Sequence, residues 1–168
     1  APTVRLWTTS GLLCKNGRII TADGSQTITI PLAPGNYLVS IKHRNHLGVM
    51  TALPVSLGEA ATLIDFTNPT TQTWGTSAQK QEGQFMTMFA GNSNFDSSIR
   101  YVGNENDRDL ILLKIGGILP TAITSGYFTE DINLNGEVKY VGLNNDRDPI
   151  LVTIGGTVPT QVKNEHLP

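Results

Sequence analysis

The run DINLNGE from Asp131 sets oxygen-bearing side chains at alternate positions, Asp131, Asn133 and Asn135, followed by Gly136 and Glu137. This is the opening pattern of an EF-hand-like calcium loop, in which positions one, three and five give side-chain oxygens and position seven gives its backbone carbonyl. A hard cation that takes about six to eight oxygens in a flexible shell suits such a set, whereas zinc would call for His or Cys. Gly136 permits the sharp turn. Position twelve of a standard loop is a bidentate carboxylate, but here it is Gly142. The next carboxylates are Asp146 and Asp148 in NNDRDPIL. Asp148-Pro149 reads as an N-cap and first helical residue, with Ile150, Leu151 and Ile154 on one helical face and Gly155-Gly156 as the stop. Asp148, with Asp146, is therefore expected to close the site across an insertion, at the mouth of an exit helix.

The same arrangement occurs twice. Shifting residues 92–121 by 39 positions lays them on residues 131–160 with 15 identities in 30, which marks an internal duplication. The shared core is YVGxxNDRDxILxxIGGxxPT. The first copy offers Asn92, Asn94, Asp96 and Ser98, with Asp107 and Asp109 as its closing pair. It lacks the first-position Asp and has Ser97 where Gly is preferred, so fewer charges predict weaker calcium binding there. One or two calcium ions are expected in total. The alternative is that NxNxD and DxNxN are polar turns whose Asn and Asp bond their own backbone. Arg108 and Arg147, each between two Asp residues, are expected to pair with carboxylates, and Tyr101 and Tyr140 to pack inside the inserted lobe.

The elements that must carry these loops divide the chain. Residues 1–76 hold the runs TVRLWT, GRIIT, QTITIPL, NYLVSIKH, GVMTALPVSL and ATLIDF, rich in β-formers and without helical periodicity. Asn16-Gly17, Asp23-Gly24 and Pro34-Gly35 supply turn chemistry between them. The spacing predicts an immunoglobulin-like β-sandwich, one strand short of the usual seven and so open at an edge. TNPTTQTWGT reads as a linker or extended crossing segment, and Phe85, Met86, Met88 and Phe89 as cover for the junction between halves. Residues 77–168 are expected to form a small α domain of two loop–helix units.

Composition removes several functions. The net charge of −2 on 168 residues offers no electrostatic case for nucleic acid. The single cysteine, Cys14, excludes an intramolecular disulfide and any multi-cysteine metal site. No apolar run approaches the length of a membrane span. GxSxG, HExxH and phosphate-loop motifs are missing, and the repeats use most of the acidic residues, so a non-enzymatic role is expected. His43 and His46, three apart in a strand-to-turn region, are expected on opposite faces and in a hydrogen-bonded turn, not on a metal. The Ala1-Pro2 start, sparse Lys and abundant Thr, Asn and Gly fit an exported bacterial protein.

The C-terminal repeat resembles the dockerin modules of cellulosomes, which are built from two duplicated calcium loop–helix units, through DINLNG, DLILLKIGG and DPILVTIGG. It departs from them by the insertion before the last acidic residue. The chain also resembles the C-terminal region of large secreted and cell-surface proteins of Bacteroidota. There a β-sandwich with a phrase like PGNYLVSIKHRNHLGVMT precedes two copies of NDRDPILVxIGG and an ending like EHLP. The resemblance implies an extracellular, adhesive or structural part on a bacterial surface. An open sandwich edge predicts completion by a strand from a neighbouring copy, from APTVRLW or TNPTTQTWG, which repeated head to tail gives a filament. The rival expectation is a module that binds or tethers a protein or glycan partner within a larger adhesin or hydrolase.

Overall fold

A computed structural model describes residues 4–168. Ala1, Pro2 and Thr3, the beginning of the APTVRLW segment, lie outside the described residues. The described chain is mainly β, with only two short helices, and its strands pair in twos, all antiparallel.

The N-terminal half uses only part of its strand-type sequence. β1 (Leu12–Leu13) pairs with β2 (Ile19–Ile20) around the Asn16-Gly17 turn. β3 (Gly35–Tyr37) pairs with β6 (Val55–Leu57), outside the hairpin of β4 (Ser40–His43) and β5 (His46–Met50). The expected strands in TVRLWT, QTITIPL and ATLIDF form no ladder among the described residues. Val4 and Leu6 are 72% and 61% exposed. A strand needs a neighbour to take its N–H and C=O groups, and no described segment of this chain supplies one.

The β4–β5 hairpin is the part of this half that is buried. Between the pairs Ile41↔Val49 and His43↔His46, two residues of β5 oppose Lys42 alone, a bulge that twists the hairpin. The turn is Arg44-Asn45, so His43 and His46 face each other across it. They do not lie on opposite faces as a continuous strand would require. TNPTTQTWGT is mostly turns and bends, and only its part around Thr73 lines the end of β5, with Thr73 bridged to Thr51 and the Trp74 N–H bonded to the Met50 carbonyl at 2.8 Å. β7 (Lys80–Glu82) and β8 (Phe85–Thr87) form a further hairpin. Of the residues expected to cover the junction, Phe89 is buried whereas Phe85 is exposed.

The two repeats build one interlocked unit. β9 (Ser98–Arg100) leads to α1 (Asp107–Lys114) and β10 (Ile123–Ser125). β11 (Glu137–Lys139) leads to α2 (Arg147–Thr153) and β12 (Val162–Asn164). The strand after each helix pairs with the other repeat: β10 with β11 and β12 with β9. Each helix also packs on the strand of the other copy. Ile111 and Ile115, one turn apart, turn inward with their counterparts Ile150 and Ile154, onto Ile99 and Val138. Gly116 and Gly155, at φ +106 and +119, end the helices. Their N–H groups, and those of the glycines that follow, return to carbonyls of the last turn, as in a Schellman ending.

Leu47 of β5 belongs to this same core, so packing crosses the boundary expected between residues 76 and 77. The C-terminal tail crosses it too. Glu165 accepts the bulge N–H of Gly48 at 2.7 Å and pairs with Lys42 at 3.2 Å, while its own N–H bonds to the Ser97 carbonyl at 2.7 Å. A Cβ on Gly48 would sit 2.5 Å from Leu167 Cδ1 and 2.6 Å from Glu165 Oε1, so a larger residue would push these tail side chains aside. Leu47→Ala is expected to lower the stability of the repeats by about 2–5 kcal/mol in urea unfolding followed by circular dichroism. A loss below about 0.5 kcal/mol, the scale of a neutral surface change, would show that the repeats close their core without the hairpin.

Candidate functional site

Local structure explains how each loop is held open and where its acidic groups go. In the second repeat, Asp131 is buried. It accepts the N–H groups of Asn135 and Gly136, each at 3.0 Å. Asn133 Oδ1 accepts from Asn135 N at 3.1 Å, and Asn135 Oδ1 from Glu137 N at 2.8 Å. Leu134 takes a positive φ of 61° to make the turn. The alternate oxygens therefore curl the chain around their own amides, as they do in a short cation loop and equally in a polar turn. Glu137 lies in β11 with its carboxylate 2.6 Å from Lys139 Nζ.

The expected closing pair splits. Asp146 is fully buried and reaches back to the loop. One oxygen accepts from Ile132 N at 2.8 Å and Asn133 N at 3.1 Å, the other from Lys139 N at 2.8 Å. Asp107 does the same in the first repeat. It accepts from Ser93 N at 2.8 Å, Asn94 N at 3.4 Å and Arg100 N at 2.8 Å. These carboxylates pin the start of each loop to the strand that leaves it. Burial pushes both above the ordinary carboxylate range, against the pull of the amides, and Asp107 reaches about 6. Asp96 beside Asp107 and Asp131 beside Asp146 add to the push. Each loop thus gathers two carboxylates.

Asp109 and Asp148 turn away from the loops. Asn106 is the N-cap of α1: its Oδ1 accepts from Asp109 N at 3.0 Å, and its amide nitrogen bonds Asp109 Oδ2 at 2.8 Å and the Gly103 carbonyl at 2.7 Å. Asn145 and Asp148 repeat this at 2.9 and 2.8 Å. Asp148 therefore lies inside the first turn of α2, three residues after Asn145, and is not the cap read from Asp148-Pro149. Pro149 has no N–H to give the Asn145 carbonyl, which accounts for the regular helix starting at Arg147 where its copy starts at Asp107. Arg108 and Arg147 pair with Asp109 and Asp148 at 3.0 and 3.2 Å and stand over the rings of Tyr101 and Tyr140 at 5.2 and 5.4 Å, which closes the inserted lobe.

The first loop is more open. Asn94 bonds Asp96 and the Glu105 carbonyl at 2.9 and 3.1 Å, and Asp96 receives Ser98 N at 2.6 Å. Asn92 is buried with its amide nitrogen on the Asp96 carbonyl at 2.7 Å, while its Oδ1 has no partner. A cavity of about 350 Å³ opens elsewhere on the same loop, lined by Asn94, Asp96, Glu105, Asn106 and Leu110. An orphaned amide oxygen in a loop that also holds two carboxylates is a donor set that suits a hard, oxygen-seeking cation. Among the described residues no three His, Cys, Asp or Glu side chains converge, so amide and carbonyl oxygens would have to share the coordination.

Sequence reasoning missed two residues. Asn45, fully buried at the hairpin turn, gives its amide hydrogens to the carbonyls of Thr129 and Asp131 at 3.0 and 2.7 Å. Its own carbonyl accepts from Gly91 and Asn92, both at 3.0 Å. Arg44 stacks on Tyr127 at 3.7 Å and reaches Asp131 at 3.4 Å. A two-residue polar turn between apolar strands was the only signal, and most such turns face water. Compared with known proteins, the chain matches no family model, no curated protein and no solved structure.

Asp146→Ala, measured by urea unfolding in chelator so that no ion contributes, is expected to cost about 3–5 kcal/mol because it strands several buried N–H groups. Asp148→Ala, at the exposed helix start, should cost about 1 kcal/mol. Equal effects would remove the distinction between the two carboxylates.

Proposed function

We infer that the chain is an extracellular, calcium-stabilised structural module that joins copies of itself into surface filaments by strand addition. The observation that carries this reading is the N-terminal arm. Residues 4–11 combine strand-forming sequence, exposed Val4 and Leu6, and no backbone ladder among the described residues. Extended apolar segments with unspent N–H and C=O groups are what β-augmentation donates. A partner's strands would complete the immunoglobulin-like sandwich expected from the turn spacing, and the interlocked repeats would serve as its dockerin-like C-terminal part. The likeness to C-terminal regions of Bacteroidota surface proteins supports the same location.

Calcium fits the loops on their donor set. Asp131, Asn133, Asn135 and the Glu137 carbonyl in one repeat, and Asn92, Asn94, Asp96 and Ser98 in the other, are the residues that would hold it, with Asp146 and Asp107 at their backs. The ion would neutralise carboxylates that otherwise face one another, so its role is to stiffen the repeats. Weak sites of this kind stay filled outside cells, where calcium is plentiful.

A second reading, a binding or tethering module for a protein or glycan, is favoured by one feature. Apolar residues are exposed at matched positions of the two copies, Leu113 with Val152 and Ile123 with Val162, as on a face that a partner covers.

Electron microscopy and light scattering of the protein in millimolar calcium are expected to show filaments, and deletion of residues 1–11 to leave monomers with an unchanged circular dichroism spectrum. Monomers alone in calcium would overturn the assembly reading. Chelation is expected to lower the melting temperature by several degrees, about the effect of 1–2 kcal/mol on a chain this size. An unchanged melting temperature would remove calcium from the account.

A further inference from the structure

The β4–β5 hairpin brings three ligand-type atoms together around His46, at the turn that Asn45 ties to both calcium-type loops. His43 Nδ1 lies 2.8 Å from His46 Nδ1, and His46 Nδ1 lies 2.8 Å from Asn45 Oδ1. The two rings stand nearly perpendicular, at 82°, with centroids 4.6 Å apart.

The proton count at this point is short. Asn45 spends its amide hydrogens on Thr129 and Asp131, which fixes its Oδ1 as an acceptor aimed at His46. His46 Nδ1 must then carry the hydrogen, and His43 Nδ1 is left with a lone pair facing that same N–H. The single N–H of His46 thus faces two acceptors, His43 Nδ1 and Asn45 Oδ1. We propose that His43 Nδ1, His46 Nδ1 and Asn45 Oδ1 form a binding site for a divalent transition metal of the copper(II) type.

Geometry selects the metal class. At metal–nitrogen bonds of about 2.0 Å, donors separated by the observed 2.8 Å subtend about 90°. A tetrahedral zinc site would hold them about 3.3 Å apart. Right-angled nitrogen and oxygen donors are the tetragonal arrangement of copper(II), which also heads the affinity order of the divalent first-row ions. Binding needs no net loss of a proton, because His46 can move its hydrogen to Nε2 and present Nδ1 to the metal. Water completes the shell from the half-buried His43 side.

The surroundings agree with this assignment. Burial holds both imidazoles below their ordinary pKa, with His46 lowered to about 3, so both are neutral ligands at neutral pH. The neighbouring Arg44 charge opposes a cation and helps lower both imidazoles, and its pairing with Asp131 at 3.4 Å and stacking on Tyr127 offset it in part. The donors are also held rigidly, since Asn45 is tied on both sides to the repeats. A bound metal would therefore lock the turn on which the two loops are anchored.

The test titrates copper(II) into the full chain, with calcium present, and follows it by calorimetry and electron paramagnetic resonance. One equivalent of metal with a tetragonal spectrum and coupling to two nitrogens is the expected result, together with a raised melting temperature. His43→Ala, which removes one of the two nitrogen ligands, should weaken binding by at least about a hundredfold, more than the loss of an outer-shell partner costs. His166→Ala, at the remaining histidine, should leave it unchanged. His43→Gln is the fallback if the alanine variant misfolds. Unaltered affinity in a folded His43 variant, or a spectrum without two nitrogens in the wild-type protein, would overturn the site.

Discussion

Much of this structure rests on Asn45. From one turn position it uses its carbonyl to hold the amides that open the first loop and its side chain to hold the carbonyls that open the second. Each hydrogen bond contributes only about 1 kcal/mol net, but the buried groups left unpaired without it would cost more. The duplicated loops therefore start from a common point supplied by a different part of the chain. Leu47, two residues on, enters the core between the repeats, so polar and apolar anchoring come from the same hairpin. The tail returns from the far end through Glu165 to brace that hairpin from outside.

Within each repeat a buried carboxylate plays the corresponding local role. Asp107 and Asp146 are costly to bury, as their raised pKa values record. Their charge is offset by N–H groups from two separate segments, which ties loop, strand and helix start together. Placing them at the first turn of a helix adds the favourable end of the helix dipole. Asp96 and Asp131 sit near enough to raise these pKa values further. A fold that gathers like charges in this way gains from a cation, and this gives the calcium reading its physical basis.

The N-terminal half shows the opposite balance. Its β-formers and turn signals are strong, yet residues 4–11 and much of 26–34 form no ladder among the described residues. Strand propensity expresses a fit to a pleated, half-buried surface and not a backbone preference in isolation. Where the chain provides no adjoining strand, the propensity stays unused. Buried β5 and exposed Leu6 differ in what lies beside them more than in the residues themselves.

The sequence by itself determined the β-rich character, the duplication, the helix stops at paired glycines and the alternate oxygens of each loop, because these depend on short-range spacing and turn chemistry. It also made Asp146 and Asp148 look interchangeable, since two carboxylates two residues apart differ only in the direction a helix start gives them. Tertiary structure alone decided that Asp146 faces inward and Asp148 outward, and that strands exchange between repeats. It alone placed His43 against His46 and made a polar turn the anchor of the whole. Those outcomes depend on which surfaces meet, and contacts between residues dozens of positions apart leave no periodic trace in the chain.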